Sequence, residues 1–224
     1  MPVAKNLAQI KQRIEDACKK SNRNPEDIQI IAVTKYVSNE RAAEALEAGI
    51  KHFGENRVEG IQAKFTYFQD KAHYHFIGTL QSRKVKELLP YIEMLHSLDR
   101  ESIAKEIDKR SERVIPCFVQ VNTSGEESKQ GLDPSEVEAF IEKLANYSKV
   151  RVVGLMTMAP LTENQSKLRE TFTNLRELKE KIEAKGLTHA PCHFLSMGMS
   201  NDFEIAIEEG ATHVRIGSAL VGHE

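Results

Sequence analysis

Apolar, strand-like runs alternate with helix-forming stretches along the whole chain, and that alternation leaves few folds open. The clearest unit begins at Ile30-Ile31-Ala32-Val33, which leads straight into Thr34-Lys35. Such a run reads as a strand buried on both faces, the kind found in parallel sheets. Ahead of it, Leu7, Ile10, Ile14 and Ala17 recur at helical spacing. They predict an amphipathic helix over residues 3–20, ended by Ser21-Asn22-Arg23-Asn24-Pro25. Behind it, Ser38 is placed to cap a helix carrying Ala42, Ala43, Ala45 and Leu46, which Gly49 stops. The unit then repeats. Strands are predicted over residues 28–34, 52–56, 75–78, 94–99, 115–121, 150–158, 193–196 and 212–216. Later helices are predicted from residue 58, then over 84–89, 101–110, 134–147, 164–184 and 202–209. Eight strands, each of the first seven followed by a helix, are what a (β/α)8 barrel requires. An open doubly wound sheet competes, but no GxGxxG loop supports it. No linker rich in Pro, Gly or Ser divides the chain, so residues 1–224 are expected to form one domain.

In a barrel the active site lies at the carboxyl ends of the strands. The residues there are Lys35, Asn56, Gly78 with Gln81, Ser97 with Asp99, Asn122, residues 156–158, residues 196–200, and residues 215–218. A lysine at the end of a buried strand is partly out of water. Desolvation favours its free amine, which is the form that makes imines. Taken alone, Lys35 reads more simply as a side chain that reaches the surface. The last two loops add weight to the first reading. Phosphate sites in this fold often use the loops after strands seven and eight. Here those loops are Ser196-Met197-Gly198-Met199-Ser200-Asn201-Asp202 and Arg215-Ile216-Gly217-Ser218. Gly198 lets backbone approach a ligand, Ser200 offers a hydroxyl, and Gly217 and Ser218 offer backbone N–H groups. An imine-forming lysine facing a phosphate cradle points to a phosphate-bearing aldehyde, and pyridoxal phosphate satisfies both ends. Arg215 then faces the pyridine ring and disfavours its protonation, which weakens the cofactor as an electron sink.

The remaining composition narrows the field. A formal net charge of −2 with both signs interspersed gives no electrostatic case for nucleic acid or an anionic membrane. Arg83, Lys84 and Lys86 read as a solvated helix start. No segment reaches the roughly 18 apolar residues of a membrane span, and the N-terminus lacks a signal-peptide core, so a cytoplasmic protein is expected. Cys18, Cys117 and Cys192 are widely spaced and odd in number, which argues against disulfides and zinc. Cys117 and Cys192 lie in or beside apolar runs and read as packing residues.

The sequence resembles the YggS/PROSC family of pyridoxal phosphate homeostasis proteins, most nearly its bacterial YlmE-type members. The resemblance covers essentially the whole chain. It rests on Ala32-Val33-Thr34-Lys35, Phe53-Gly54-Glu55-Asn56-Arg57, His75-Phe76-Ile77-Gly78-Thr79-Leu80-Gln81, His96-Ser97-Leu98-Asp99, Val121-Asn122, Gly154-Leu155-Met156-Thr157-Met158, the residue 196–202 loop and Val214-Arg215-Ile216-Gly217. It implies a single TIM barrel like the N-terminal domain of alanine racemase (fold type III), with an extra N-terminal helix. It also implies that Lys35 carries the Schiff base and that Ser200, Gly217 and Ser218 hold the phosphate. Arg215 is placed at the ring nitrogen and Asn56 near the cofactor. The family has no established catalytic reaction and acts in cofactor homeostasis.

Three function classes follow. The first is a pyridoxal phosphate-binding protein that buffers or delivers the cofactor, with PLP-dependent apo-enzymes as partners and a monomeric state expected. The second is a racemase-like enzyme, which needs a second base opposite Lys35. In the racemases a second domain supplies that base as a tyrosine, and none is expected here, although Tyr36 adjoins Lys35. The third is a class I aldolase-type barrel, which predicts a phosphorylated sugar and no visible absorbance. The polar loop at residues 124–131 reads either as a mobile cover over the site or as a solvated turn.

Overall fold

The computed structural model describes residues 2–126 and 130–222. Its order follows from the alternation above. Helix α1 (Val3–Lys20) buries Leu7, Ile10, Ile14 and Ala17, the residues whose spacing predicted it. Burying each of the larger ones contributes roughly 2 kcal/mol. Strand β1 (Gln29–Val33) is followed by α2 (Asn39–Glu47), whose first turn is capped by Ser38 Oγ accepting from Arg41 N–H at 3.2 Å. Then come β2 (His52–Glu55), α3 (Val58–Phe68), β3 (His73–Phe76) and α4 (Val85–Leu88). These are followed by β4 (Met94–Leu98), α5 (Glu101–Arg110), β5 (Ile115–Gln120) and α6 (Val137–Lys143). The chain continues through β6 (Val150–Met156), α7 (Gln165–Glu183), β7 (Phe194–Ser196), α8 (Phe203–Glu208), β8 (His213–Ile216) and α9 (Ser218–Val221).

The eight strands pair in sequence order, all parallel, and β1 pairs with β8 to close the barrel. Closure excludes the open doubly wound sheet. The register Gln29↔His213 through Ala32↔Ile216 sets Ile31 opposite Arg215. Alternate residues therefore point into the lumen or out toward the helices. The outward set is aliphatic and aromatic, including Ala32, Phe53, Val119, Leu155 and Val214, and it forms one core with the helices. Cys18, Cys117 and Cys192 are all buried and unpaired, and burial pushes the Cys117 and Cys192 thiols up.

Differences from the predicted elements are local. Strand three begins at His73, because His73 N–H continues the β2 ladder by donating to Lys51 O at 2.7 Å. Strand six stops at Met156, where Thr157 N–H turns to Ser196 O. The stretch from Pro134 is a 3-10 turn, then α6, then a second 3-10 turn ending at Asn146. α9 is too short to show helical periodicity in the sequence. Among the described residues no helix is long and apolar enough to cross a membrane.

Candidate functional site

The residues after each strand face a common mouth. Several depressions open there, and two of them hold Arg215 and Lys35. The first, of about 290 Å³, is lined after β7 by Met199, Ser200, Asn201 and Asp202, and on the β8 side by Arg215, Gly217 and Ser218. The second, of about 400 Å³, is lined by Lys35, Tyr36, Asn56, Arg57 and Gly60 with two glutamates. Val33 lines the first and Lys35, two residues on, lines the second, so the end of β1 separates them. The structure thus brings Ser200, Arg215, Gly217 and Ser218 into one cavity. It sets Lys35 and Asn56 in the adjoining one.

Arg215 forms the base of the first cavity and is 3% exposed. Its Nη1 donates to Ser196 Oγ at 2.5 Å and its Nη2 to Thr157 O at 2.9 Å. Burial pushes its guanidinium down to about 10, opposed in part by the Asp202 carboxylate. It therefore stays charged at neutral pH and can only donate. A ring nitrogen set against it is kept unprotonated.

The β7 loop is shaped by its glycine and its aspartate. Gly198 has φ +97°, and a Cβ there would sit 2.7 Å from Ala206 Cβ, so this turn admits only glycine without strain. Asp202 Oδ1 accepts from Met199 N–H at 2.5 Å, and Phe203 N–H donates to Met199 O at 2.9 Å. Burial pushes the Asp202 carboxyl up, against the Met199 N–H and Arg215. Ser200 Oγ accepts from Ala219 N–H at 3.3 Å and ties this loop to the first turn of α9.

Lys35 is half-buried, with Nζ 4.6 Å from the centre of the Tyr36 ring. The segment carrying it is held from below. Thr34 Oγ1 donates to Glu55 Oε1 at 2.6 Å, and Lys64 Nζ donates to Val37 O at 2.8 Å and to Asn39 Oδ1 at 3.2 Å. Glu55 is buried beneath α3, and burial pushes its carboxyl up while the Thr34 hydroxyl and Lys64 oppose this. A Cβ at Gly60 would lie 2.6 Å from Glu55 Oε2, so the glycine makes room for the carboxylate. The sequence reading gave no role to Thr34, Glu55 or Lys64. The available signals were a carboxylate inside a strand and a lysine on the apolar Ile61–Phe68 face of a helix.

Other strand-end residues turn to their own neighbours. Asn122 Nδ2 donates to Glu126 O and its Oδ1 accepts from Ser124 Oγ. Gln81 Oε1 accepts from Arg83 Nε, and Asp99 pairs with Arg100 Nη1 at 2.7 Å. Met156 and Met158 pack with Phe118 inside the barrel. Within the predicted 124–131 loop, residues 127–129 lie outside the described residues. The lumen also holds His52, His75, His96 and His213, which sequence reasoning passed over. Their signal was a histidine at alternate positions of otherwise apolar strands, as in His73-Tyr74-His75. Among the described residues no group of three or more His, Cys, Asp or Glu side chains could hold a metal.

A closed parallel barrel with these residues at its mouth is the barrel class of the alanine racemases. Residues 5–224 match the family described as alanine racemase, N-terminal domain. Alanine racemase of Clostridium difficile superposes with a TM-score of 0.78 at 16% identity, over 100% of this chain and 57% of that one, a likeness of fold. PipY of Synechococcus elongatus, solved with PLP bound, superposes with a TM-score of 0.86 at 30% identity, over 98% of this chain and 100% of that chain. The pyridoxal phosphate homeostasis protein of Aquifex aeolicus is 39% identical over 99% of this chain and 98% of its own. The chain therefore belongs to the alanine racemase N-terminal domain family and, within it, to the pyridoxal phosphate homeostasis proteins.

Proposed function

We propose that this protein binds pyridoxal 5'-phosphate at the barrel mouth and serves the homeostasis of that cofactor, without a turnover of its own. The observation that carries the reading is Arg215. It is a buried cation clamped by Ser196 and Thr157 at the base of a cavity rimmed by Ser200, Gly217 and Ser218, while Lys35 lines a second cavity beyond the end of β1. The residues fit the cofactor at three points: an amine for its aldehyde, a donor for its ring nitrogen, and a hydroxyl with backbone for its phosphate. The relatives support this, being named for pyridoxal phosphate homeostasis or solved with PLP bound.

When bound, pyridoxal phosphate supplies an aldehyde that condenses with an amine and a ring that draws electrons from it. In our reading Lys35 is the covalent attachment point, with Asn56 next to it. Ser200, Gly217 and Ser218 hold the phosphate. Arg215 keeps the ring nitrogen unprotonated, which limits electron withdrawal and suits a carrier better than a catalyst. Racemisation needs two bases on opposite faces. Tyr36 is the one tyrosine lining either cavity, and its ring lies beneath Lys35 Nζ, on the lysine's own side. Residues 1–224 act in this reading as one cytoplasmic, monomeric domain that yields its cofactor to apo-enzymes.

The test is titration of the purified protein with pyridoxal phosphate, followed by visible absorbance, beside Lys35→Ala and Ser200→Ala. The wild type should bind one equivalent and gain a band. Lys35→Ala should lose the band yet keep measurable affinity through the phosphate side, and Ser200→Ala should keep the band at weaker affinity. A wild type that binds nothing overturns the reading. A normal band in Lys35→Ala moves the attachment to another lysine.

A further inference from the structure

The lumen beneath Arg215 holds a chain of polar groups that the proposed function does not use. Ser196 Oγ, which accepts from Arg215 Nη1, lies 2.8 Å from His96 Nδ1. His96 Nε2 lies 2.9 Å from His75 Nδ1, and His75 Nε2 lies 2.9 Å from His52 Nδ1. The five residues come one each from β8, β7, β4, β3 and β2. Ser196, His96 and His75 are at most 1% exposed. His96 is stacked on Phe118 with ring centres 4.4 Å apart. The far end is open: His52 is half-buried and stacks on the exposed His73, whose Nδ1 is 3.4 Å from Glu93 Oε2.

The order of protons along this chain follows from its first member. A guanidinium only donates, so Ser196 Oγ is an acceptor toward Arg215. Its own proton then goes to His96 Nδ1. A neutral imidazole carries one donor and one acceptor nitrogen. His96 therefore holds its proton on Nε2 and donates to His75 Nδ1. His75 does the same to His52, and His52 is left with its proton on Nε2. Reversing the order would leave the buried Ser196 hydroxyl without a recipient, and an unsatisfied buried donor is costly. Burial first, and the neighbouring histidines second, push His75 and His96 well below the usual histidine range, so both are neutral at neutral pH.

We propose that Ser196, His96, His75 and His52 are positioning residues that form one polarised hydrogen-bond relay along the barrel axis. The relay holds Arg215 toward the mouth and transmits what Arg215 faces there to His52 near the opposite end. Only the identity of the ligand at the mouth rests on the proposed function; the relay is a property of the protein without ligand. Among the described residues, two of the guanidinium's N–H bonds are committed, to Ser196 and Thr157. The others remain for a group in the cavity.

The test is nitrogen-15 NMR of histidine-labelled protein with no ligand added. In the wild type, His52, His75 and His96 should each be neutral with the proton on Nε2. Nitrogen–nitrogen couplings should cross both imidazole–imidazole bonds. Ser196→Ala should move His52, two imidazoles away, from one tautomer to a mixture. A lumen that only fills space would change His96 and leave His52 alone. Missing couplings in the wild type, or an unmoved His52 in Ser196→Ala, overturn the relay, and the first measurement needs no variant. Ser196→Ala should also bind pyridoxal phosphate about tenfold more weakly, the loss of one charged hydrogen bond, with Ser196→Thr restoring it. Unchanged affinity would show that the relay does not position Arg215. A wild type that fails to bind the cofactor but shows the couplings would sink the function and leave the relay standing.

Discussion

The two layers of side chains on either face of the barrel wall obey different rules. Outside the wall, Ala32, Phe53, Val119, Leu155 and Val214 meet the helices in a continuous apolar core. Inside it, Phe118 and Met156 share the lumen with three hydrogen-bonded histidines, a serine and a buried arginine. The outer layer is held by area and volume, which many residues share. The lumen is held by directional bonds, each with one partner. The difference teaches where stability and function should separate: outer substitutions should cost stability in proportion to the atoms removed, whereas lumen substitutions should alter the site.

The largest effect should come from the outer layer. Phe53→Ala removes a fully buried ring that packs edge-on against Phe68 and Tyr74. It should cost about 3–5 kcal/mol in a urea melt. The folded fraction should still bind one equivalent of pyridoxal phosphate. Loss of binding in the folded fraction would break the separation of layers.

Acid should act next, and through the lumen. Burial first, then His52 and Arg215, lower His213 to about 4 from 6.5. Below pH 6.5 the unfolded chain takes up a proton that the folded protein refuses until about pH 4. Stability is therefore lost as pH falls through that window, by roughly 3 kcal/mol for this residue. His75 and His96 shift in the same direction. The buried carboxyls of Glu55, Asp99 and Asp202, raised by burial, pull the other way. The comparison that isolates His213 is urea melts of wild type and His213→Gln from pH 7 to pH 4. The wild type should lose more stability over that range, and parallel curves would contradict the assignment.

Smaller effects sharpen the contrast at single positions. Gly198→Ala should cost about 1–3 kcal/mol from strain at a positive φ and should weaken ligand affinity, because it distorts the loop carrying Ser200. Ser38→Ala removes the α2 cap and should cost about 1 kcal/mol, read as a shift in the urea midpoint, with affinity unchanged.

The outer layer was the legible one. Apolar runs and helical spacing predicted all eight strands, and the eighth helix was missed because α9 has a single turn. At the mouth, Lys35, Asn56, Ser200, Arg215, Gly217 and Ser218 could be placed because barrel geometry sends strand ends to one face. Their division between two cavities could not, since it depends on the turn of β1 and on where the Lys35 side chain lies. Asn122 stood at a strand end in the sequence, yet its side chain closes its own loop. The lumen was least legible. A histidine in an apolar run says nothing about which face it takes until the register is known, and Ser196, His96, His75 and His52 are far apart in the chain.

The most direct measurement is borohydride reduction of the protein loaded with pyridoxal phosphate, followed by mass mapping of its peptides. The account predicts a single modified peptide with the added mass on Lys35. A label spread over surface lysines, or placed on Lys64 with Lys35 unmodified, would contradict it.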